Sequence, residues 1–249
     1  MAENTVEVKN VSLIYHEKTA ETLAIENLSF DVCNGEFVAI VGPSGCGKTS
    51  ILSLLSGLIK PTKGSVYIQD NSPGYMLQHD HLLDWRTIEG NIILGLQVKH
   101  MLSDDTRSYA LRLLDSAGLS EFRNHYPRQL SGGMRQKVAL IRTLAVSPQI
   151  LLLDEPFSAL DFQTRLKISD DIYSIIKSQH KTAILVTHDI SEAISMSDRI
   201  LVFSKRPASL KNQHIIKLSA PPSPIARRNA PEFKDYFDTI WKELDDGEA

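Results

Sequence analysis

The sequence predicts an α/β fold of mostly parallel strands, interrupted by a helical insertion. Three observations carry this expectation. Phe37-Val-Ala-Ile-Val41 is apolar at every position, as in a strand covered on both faces, and it runs through a glycine-rich turn into an amphipathic stretch. Strand-like runs return at residues 150–153, 182–187 and 200–203, with a helical pattern over residues 162–179 between the first two. From about Leu82 to Val146 the periodicity is largely helical. Strands alternating with helices argue for a parallel sheet, and the long helical stretch lies inside that alternation.

Taken in order, residues 5–13 alternate through Val6 and Val8, and residues 23–32 form a second β-rich run. After the glycine turn, Ile51, Leu54, Leu55 and Leu58 fall on one helical stripe that should end near Lys60-Pro61. Ser103 is placed to cap a helix over residues 104–117, Asp104 and Asp105 suit its positive end, and Gly118 can close it. A further helix over residues 133–146 sets Met134, Val138, Ile141 and Ala145 on one face. Beyond Ser204 the composition shifts, and Ala220-Pro-Pro-Ser-Pro-Ile-Ala-Arg-Arg228 reads as a linker in which Arg227 and Arg228 are solvated charges. A last helix follows Pro231, with Phe233, Tyr236, Phe237, Ile240, Trp241 and Leu244 on one side. Its opposite face carries Glu232, Asp235, Asp238 and Glu243, which disfavours docking on a membrane and favours packing on its own domain. The expected division is a main domain over residues 1–205, with a core of 1–81 and 147–205 around the helical part at 82–146, and an extension over 206–249.

Composition excludes several functions. The 249 residues carry a net charge of −3, so no global positive field favours nucleic acid or an anionic membrane surface. The longest apolar runs fall far short of the roughly 20 residues that span a bilayer. Any membrane role must therefore pass through a partner. The acidic start, Met1-Ala-Glu-Asn-Thr-Val-Glu7, has no apolar leader core, and the expectation is a cytosolic chain. Cys33 and Cys46 form no CxxC or zinc pattern and read as reduced thiols. His79-Asp-His81 has no third His or Cys near it and reads as loop histidines rather than a metal centre.

The chemistry gathers in three stretches. Gly42-Pro-Ser-Gly-Cys-Gly-Lys48-Thr49 fits G-x-x-x-x-G-K-[ST] and sits where that pattern must, between an apolar strand and a helix. Its glycines let the backbone NH groups turn inward, and the helix N-terminus adds partial positive charge, which makes a cradle for polyphosphate. Lys48 would reach the β and γ phosphates, and the Thr49 hydroxyl would ligate Mg²⁺. Ile150-Leu-Leu-Leu-Asp154-Glu155 ends a buried-type strand with two carboxylates that should point differently, one toward metal and one toward water. Leu130-Ser-Gly-Gly-Met-Arg-Gln136 opens a helix with a hydroxyl and exposed NH groups, a second anion site.

With these motifs in this order, and with Ser158-Ala-Leu-Asp161 and Thr187-His-Asp189 downstream, the chain resembles the ATP-binding subunit of an ATP-binding cassette (ABC) transporter over roughly residues 5–205. The resemblance implies a P-loop NTPase core with a mostly parallel sheet flanked by helices, an antiparallel β subdomain and a helical subdomain. It implies that ATP lies on Gly42, Pro43, Ser44, Gly45, Cys46, Gly47, Lys48, Thr49 and Ser50, with Tyr15 stacked on adenine. Tyr15 as a core tyrosine is the alternative. Thr49, Gln78 and Asp154 would hold Mg²⁺, Glu155 would be the general base, and His188 would contact the γ phosphate and the attacking water, Gln78 aiding both. Ser131, Gly132, Gly133 and Gln136, with Asp161 nearby, would act across a head-to-tail dimer of two identical chains.

The implied function is ATP hydrolysis that drives two membrane permease subunits, with the chain bound to the inner face of the membrane through them and with no nucleic-acid partner. Leu82-Leu-Asp-Trp85 is similar to the Leu-Leu-Pro-Trp of importer ATPases of the nitrate, sulfonate and taurine group, although Asp84 stands at the proline position and residues 64–78 are short for the group. That likeness implies uptake of a small anion or a pyrimidine-type precursor delivered by an extracytoplasmic binding protein. Leu82, Leu83 and Trp85 then become candidates for gripping a partner helix, or else they cover the helical insertion. An exporter ATPase, a cassette ATPase acting outside transport and a nucleotide-regulated binding module are the alternatives.

Overall fold

The computed structural model describes residues 4–16, 21–69, 72–158 and 160–245. Residues 1–3 of the acidic start and Ala159 of the Ser158-Ala-Leu-Asp161 stretch lie outside the described residues. In chain order the elements are β1 (Asn4–His16), β2 (Glu21–Cys33), β3 (Phe37–Val41), α1 (Lys48–Leu55), β4 (Lys63–Ile68) and β5 (Gly74–Met76). Next come α2 (Ile88–Ile92), α3 (Leu94–Val98), α4 (Asp104–Ser116), α5 (Gly132–Ala145), β6 (Ile150–Asp154) and α6 (Phe162–Ser178). The chain finishes with β7 (Thr182–Val186), α7 (Ile190–Met196), β8 (Arg199–Phe203), β9 (Leu210–Ile215), α8 (Pro224–Arg227) and α9 (Phe233–Asp245).

Two sheets result. A six-stranded sheet has the order β5-β6-β7-β3-β8-β9, parallel through β8 and closed by β9 running antiparallel to it. The second is antiparallel, β2-β1-β4. The central strands β3, β6 and β7 are buried at every residue because both faces are covered, which explains their unbroken apolar text. Successive side chains then feed different cores. Leu151, Leu153, Ala183 and Leu185 face the helical insertion and α6, while Ile150, Leu152, Ile184 and Val186 pack toward α1 and the antiparallel sheet.

The capping of α4 is as the sequence implies: Ser103 accepts from the Thr106 NH, Thr106 returns the bond, and Gly118 takes φ +70° beyond the helix. Elsewhere the structure corrects the expectation. Helix α1 stops at Leu55, because Gly57 adopts φ +74°, and Leu58 is 70% exposed rather than on the buried stripe. The insertion is not helical from Leu82, since residues 82–87 are irregular and α2 begins at Ile88.

The boundary expected at 205/206 cuts through the large sheet, which continues into β9. The linker reading fails at Arg227, which is only 7% exposed and donates Nη2–H to the Ser197 carbonyl at 2.6 Å. Burial also holds the guanidinium of its neighbour Arg228 below its ordinary pKa, partly offset by the charges of Asp189 and Glu192. Helix α9 packs through Phe233, Tyr236, Phe237, Ile240 and Leu244 against α7 and the adjoining strands. Trp241, however, stays half-exposed, and Glu243 turns inward, 2.9 Å from His214 Nε2. Ile240 is fully buried, so Ile240→Ala should lower the unfolding free energy by about 2 to 5 kcal/mol in urea denaturation. An unchanged midpoint would show that α9 does not dock on the domain.

Candidate nucleotide site

Three neighbouring parallel strands, β6, β7 and β3, end on the same side of the sheet. Their C-terminal ends carry Asp154 and Glu155, then Thr187 and His188, then Gly42, so strand order alone gathers most of the expected residues. Loop 42–47 wraps the N-terminus of α1. Gly47 has φ +118°, a conformation only glycine takes readily, and a Cβ there would press within 3.3 Å of the Ala24 carbonyl oxygen. Lys48 is buried, its Nζ held 2.7 Å from Gly42 O and 3.0 Å from Pro43 O, which sets its ammonium at the mouth of the cradle. Cys46 is buried too, and desolvation pushes its thiol above the ordinary range. Ser44, Gly45, Gly47, Lys48, Thr49 and Ser50 line one cavity together with Glu155 and Arg206.

The acidic pair diverges as expected, with Asp154 the last residue of β6 and Glu155 just past it. Asp154, 6% exposed, turns back toward the loop: Oδ1 lies 3.5 Å from Thr49 Oγ1, and Oδ2 accepts from the Tyr75 hydroxyl at 3.3 Å. Burial raises its carboxyl above the usual range, and the bonds from Thr49 and Tyr75 pull it partly back. The same burial, reinforced by the Asp154 charge, drives the Tyr75 hydroxyl up to about 12. Glu155 points the other way. Its Oε2 lies 3.1 Å from His188 Nδ1 and 3.4 Å from Gln78 Nε2, whose amide is also 3.4 Å from Ser158 Oγ. Glu155 sits at φ +43°, a left-handed conformation that a non-glycine residue adopts at a cost of about 1 to 3 kcal/mol. Its NH still bonds Val186 O at 2.9 Å, so the strand hydrogen bond is kept while the side chain swings into the cleft.

The structure thus brings together Gly42 to Ser50, Gln78, Asp154, Glu155 and His188. Tyr15 joins them at the edge, its hydroxyl donating to Ser50 Oγ at 3.0 Å, and it is exposed, not the core tyrosine of the alternative reading. Ser131 caps α5, accepting from the Met134 NH at 3.4 Å, and Gly132 and Gly133 form its first turn. A Cβ on Gly133 would come within 2.9 Å of Thr164 Cγ2, so this turn rests directly on α6. Among the described residues no hydrogen bond joins this turn to the cradle of the same chain. Gln136 departs from the surface grouping: it is 4% exposed, and its Oε1 finds no protein partner. Asp161 caps α6 through the Thr164 NH at 3.0 Å, and that bond holds its carboxyl below the usual range.

Several positioning residues escaped the motif reading. Arg142 donates to the carbonyls of His81 and Asp80, both at 2.7 Å, and Arg135 pairs with Asp80 at 3.0 Å, so α5 grips the segment after Gln78. Asn91, fully buried, accepts from the Leu83 NH at 2.7 Å and donates to the carbonyls of Leu83, Arg86 and Thr87. It pins the irregular loop from the other side. Arg165 bridges Leu160 O and Asp189 Oδ2, each at 3.1 Å, tying the segment before α6 to the His188 loop. Behind that loop the Thr187 hydroxyl donates to Glu192, whose carboxyl burial pushes up to about 7. Arginines in a helix and an asparagine after a Trp-Arg pair carry no motif signal, because their roles depend on tertiary approach.

A phosphate-type cradle at the sheet's C-terminal edge, an acidic pair two strands away and a glycine-opened helix on an inserted subdomain define a P-loop ATPase of the cassette class. The chain belongs to the ABC transporter ATP-binding family, whose profile, described as ABC transporter, matches residues 25–158. It is 46% identical over 245 residues to the uncharacterized ABC transporter ATP-binding protein YtlC of Bacillus subtilis, covering 95% of this chain and 94% of that one. It is 39% identical over 209 residues to the taurine import ATP-binding protein TauB of Yersinia pestis, covering 81% of each. Among solved structures it superposes, with TM-score 0.73 and 34% identity over 85% of this chain and 99% of the other, on the dimeric post-hydrolysis state of the ATP-binding cassette MJ0796 bound to ADP and Pi. No helix among the described residues is long and apolar enough to cross a membrane.

Proposed function

We propose that this chain is the ATP-hydrolysing subunit of an importer, working as two copies whose nucleotide sites close across the dimer and drive two permease subunits. The observation that carries the catalytic part is the strained Glu155, aimed into the cradle's cavity and held between His188 and Gln78. The cradle and Lys48 neutralise the polyphosphate. Glu155 accepts a proton from a water as its oxygen attacks the γ phosphorus and the bond from that phosphorus to the bridging oxygen of ADP breaks. His188 and Gln78 orient that water and the γ phosphate.

Thr49 and Asp154, 3.5 Å apart, would supply oxygen donors suited to Mg²⁺, with the Gln78 amide oxygen as a third, and a cation there would offset the burial of the Asp154 carboxylate. When bound, the ion neutralises phosphate oxygens. Ser131, Gly132 and Gly133 present NH groups and a hydroxyl that no cradle of the same chain uses, which supports their acting on the partner copy's nucleotide. The dimeric MJ0796 cassette supports the same arrangement.

The import direction rests on the likeness to the TauB taurine importer and on the text Leu82-Leu-Asp-Trp85. The solute class is a small anion or pyrimidine-type precursor, delivered by an extracytoplasmic binding protein and read by the partners rather than by this chain. Within the loop the three candidates divide: Leu82 is buried in the helical insertion, Leu83 is half-buried, and Trp85 is 74% exposed. Trp85→Ala should therefore keep ATP affinity and weaken assembly with the permease by about 2 kcal/mol, the scale of an aromatic interface anchor. Loss of ATP affinity with assembly intact would contradict this. Comparing ATPase rates with and without co-purified membrane subunits tests the coupling, and a cognate permease that works only in efflux would overturn the import direction.

A further inference from the structure

The cavity that holds the phosphate cradle has one cationic side chain besides Lys48. Arg206 lines it together with Ser44, Gly45, Gly47, Lys48, Thr49, Ser50 and Glu155. Residue 206 belongs to no P-loop or strand-end motif, and it lies past the boundary that the sequence suggests for the catalytic domain. Among the described residues no ion pair or hydrogen bond engages its guanidinium, in contrast to Arg107, Arg123, Arg135, Arg165 and Arg199, each of which has a carboxylate partner. Its charge also reaches the buried Cys46 thiol in the middle of the loop, opposing the effect of burial there.

The backbone that presents Arg206 is firmly placed. Residues 204–209 connect β8 to β9, and Ser204 closes the turn: its NH bonds Ser209 O at 3.0 Å, and its Oγ accepts from the Ser209 NH at 2.9 Å. Ala208 clips the same turn onto β2, donating to Ala24 O at 2.9 Å and accepting from the Glu26 NH at 3.0 Å. Gly47 rests on both partners of this clip, since a Cβ there would meet Ala24 O at 3.3 Å and Ala208 Cβ at 3.7 Å. The turn carrying Arg206 and the loop carrying the cradle therefore form one packed unit, and a cation at the rim is set against the anion-binding NH groups, while Glu155, the acid in the same lining, faces His188 at 3.1 Å instead.

We infer that Arg206 is a nucleotide-binding residue, its guanidinium contacting the polyphosphate of ATP from the β8–β9 side of the cradle. The inference rests on the ATP-binding reading above and extends it to a residue outside the motifs. Guanidinium suits the task because its planar fork bonds two phosphate oxygens at once, whereas an ammonium acts as a point charge. The contact is with phosphate rather than base, since the cavity it lines is made of the cradle and Glu155, while Tyr15 lies outside that lining.

The test is calorimetric titration of the full-length chain with MgATP, MgGTP and MgADP, comparing the unaltered protein with Arg206→Ala, Arg206→Lys and Lys205→Ala. Lys205 is an exposed neighbouring cation outside the cavity lining. Arg206→Ala should weaken MgATP and MgGTP by about five- to tenfold, the scale of one charge-assisted hydrogen bond at a solvated rim, with Arg206→Lys intermediate and Lys205→Ala unchanged. In turnover the same variant should raise KM by a similar factor with little change in kcat. Equal affinities for the unaltered protein and Arg206→Ala would overturn the inference while leaving the ATP-binding reading intact. Equal losses in Arg206→Ala and Lys205→Ala would reduce it to a general surface charge and also overturn it. If the unaltered chain binds no MgATP, the ATP-binding reading fails and this inference fails with it.

Discussion

Glu155→Gln should slow steady-state ATP hydrolysis by about 10²- to 10⁴-fold, the usual contribution of a positioned general base, while MgATP still binds with near-normal affinity. The expectation follows from geometry. Among the described residues no hydrogen bond or ion pair joins Glu155 to Lys48 or Thr49, the residues proposed to hold phosphate. The Glu155 carboxylate instead faces His188 at 3.1 Å and Gln78 at 3.4 Å. Glutamine keeps the size and can still pair with both neighbours, so the left-handed backbone at φ +43° has no new reason to relax. What is lost is the ability to take a proton from water. A phosphate-release assay beside equilibrium nucleotide binding separates the two quantities, and normal turnover by the variant would remove Glu155 from the role of base.

Lys48→Ala has the opposite signature. Affinity for MgATP should fall by about 10- to 100-fold, because a buried charge-assisted contact with phosphate is removed and the cradle's NH groups alone must hold the polyphosphate. Lys48 Nζ is anchored by Gly42 O and Pro43 O, so the ammonium is preorganised. Its loss also removes that donor from the Gly42 carbonyl and leaves the Pro43 carbonyl with the Cys46 NH alone, at 3.3 Å, which loosens the loop that carries the remaining NH groups. Titration with MgATP checks this, and unchanged affinity would move phosphate binding away from the loop. Together the two variants split binding from chemistry, one residue for each.

Much of the nucleotide site was legible in the sequence because its parts are local. A glycine-rich turn between an apolar strand and a helix, and two carboxylates at a strand end, have their chemistry written in adjacent residues. Strand alternation leads one to expect that Asp154 and Glu155 diverge, although Glu155 lies one residue past β6. The left-handed backbone at Glu155 is not expected, since nothing in Asp-Glu-Pro announces it. Elements set by tertiary pairing were also hidden. Strand β4 shows little burial and pairs only with β1, so its text lacks the alternating pattern of a half-buried strand. Strand β9 is polar and edge-placed, and therefore fell in the extension beyond residue 205 rather than in the sheet. Arg227 looked solvated because sequence cannot show that the Ser197 carbonyl waits for it. Arg142 and Asn91, which hold the loop after Gln78, are invisible for the same reason: their partners are backbone carbonyls and an NH group brought close only by folding.

The loop from Gln78 to Arg86 is therefore neither a strand nor a helix, yet it is firmly held. One end touches Glu155 through Gln78, the middle is gripped by Arg135 and Arg142 of α5, and the far end exposes Trp85. Because α5 begins at Ser131, the turn proposed to meet the partner's nucleotide and the segment proposed to meet the permease are braced by one helix. A shift of that helix on nucleotide binding would move both together.

The most direct test of the composite site is sedimentation of Glu155→Gln with and without MgATP, beside a double variant that also carries Ser131→Arg. The proposed mechanism predicts a dimer holding two ATP molecules for the single variant, and a monomer that still binds ATP for the double variant. A single variant that binds ATP yet stays monomeric, or a double variant that dimerises equally well, would contradict it.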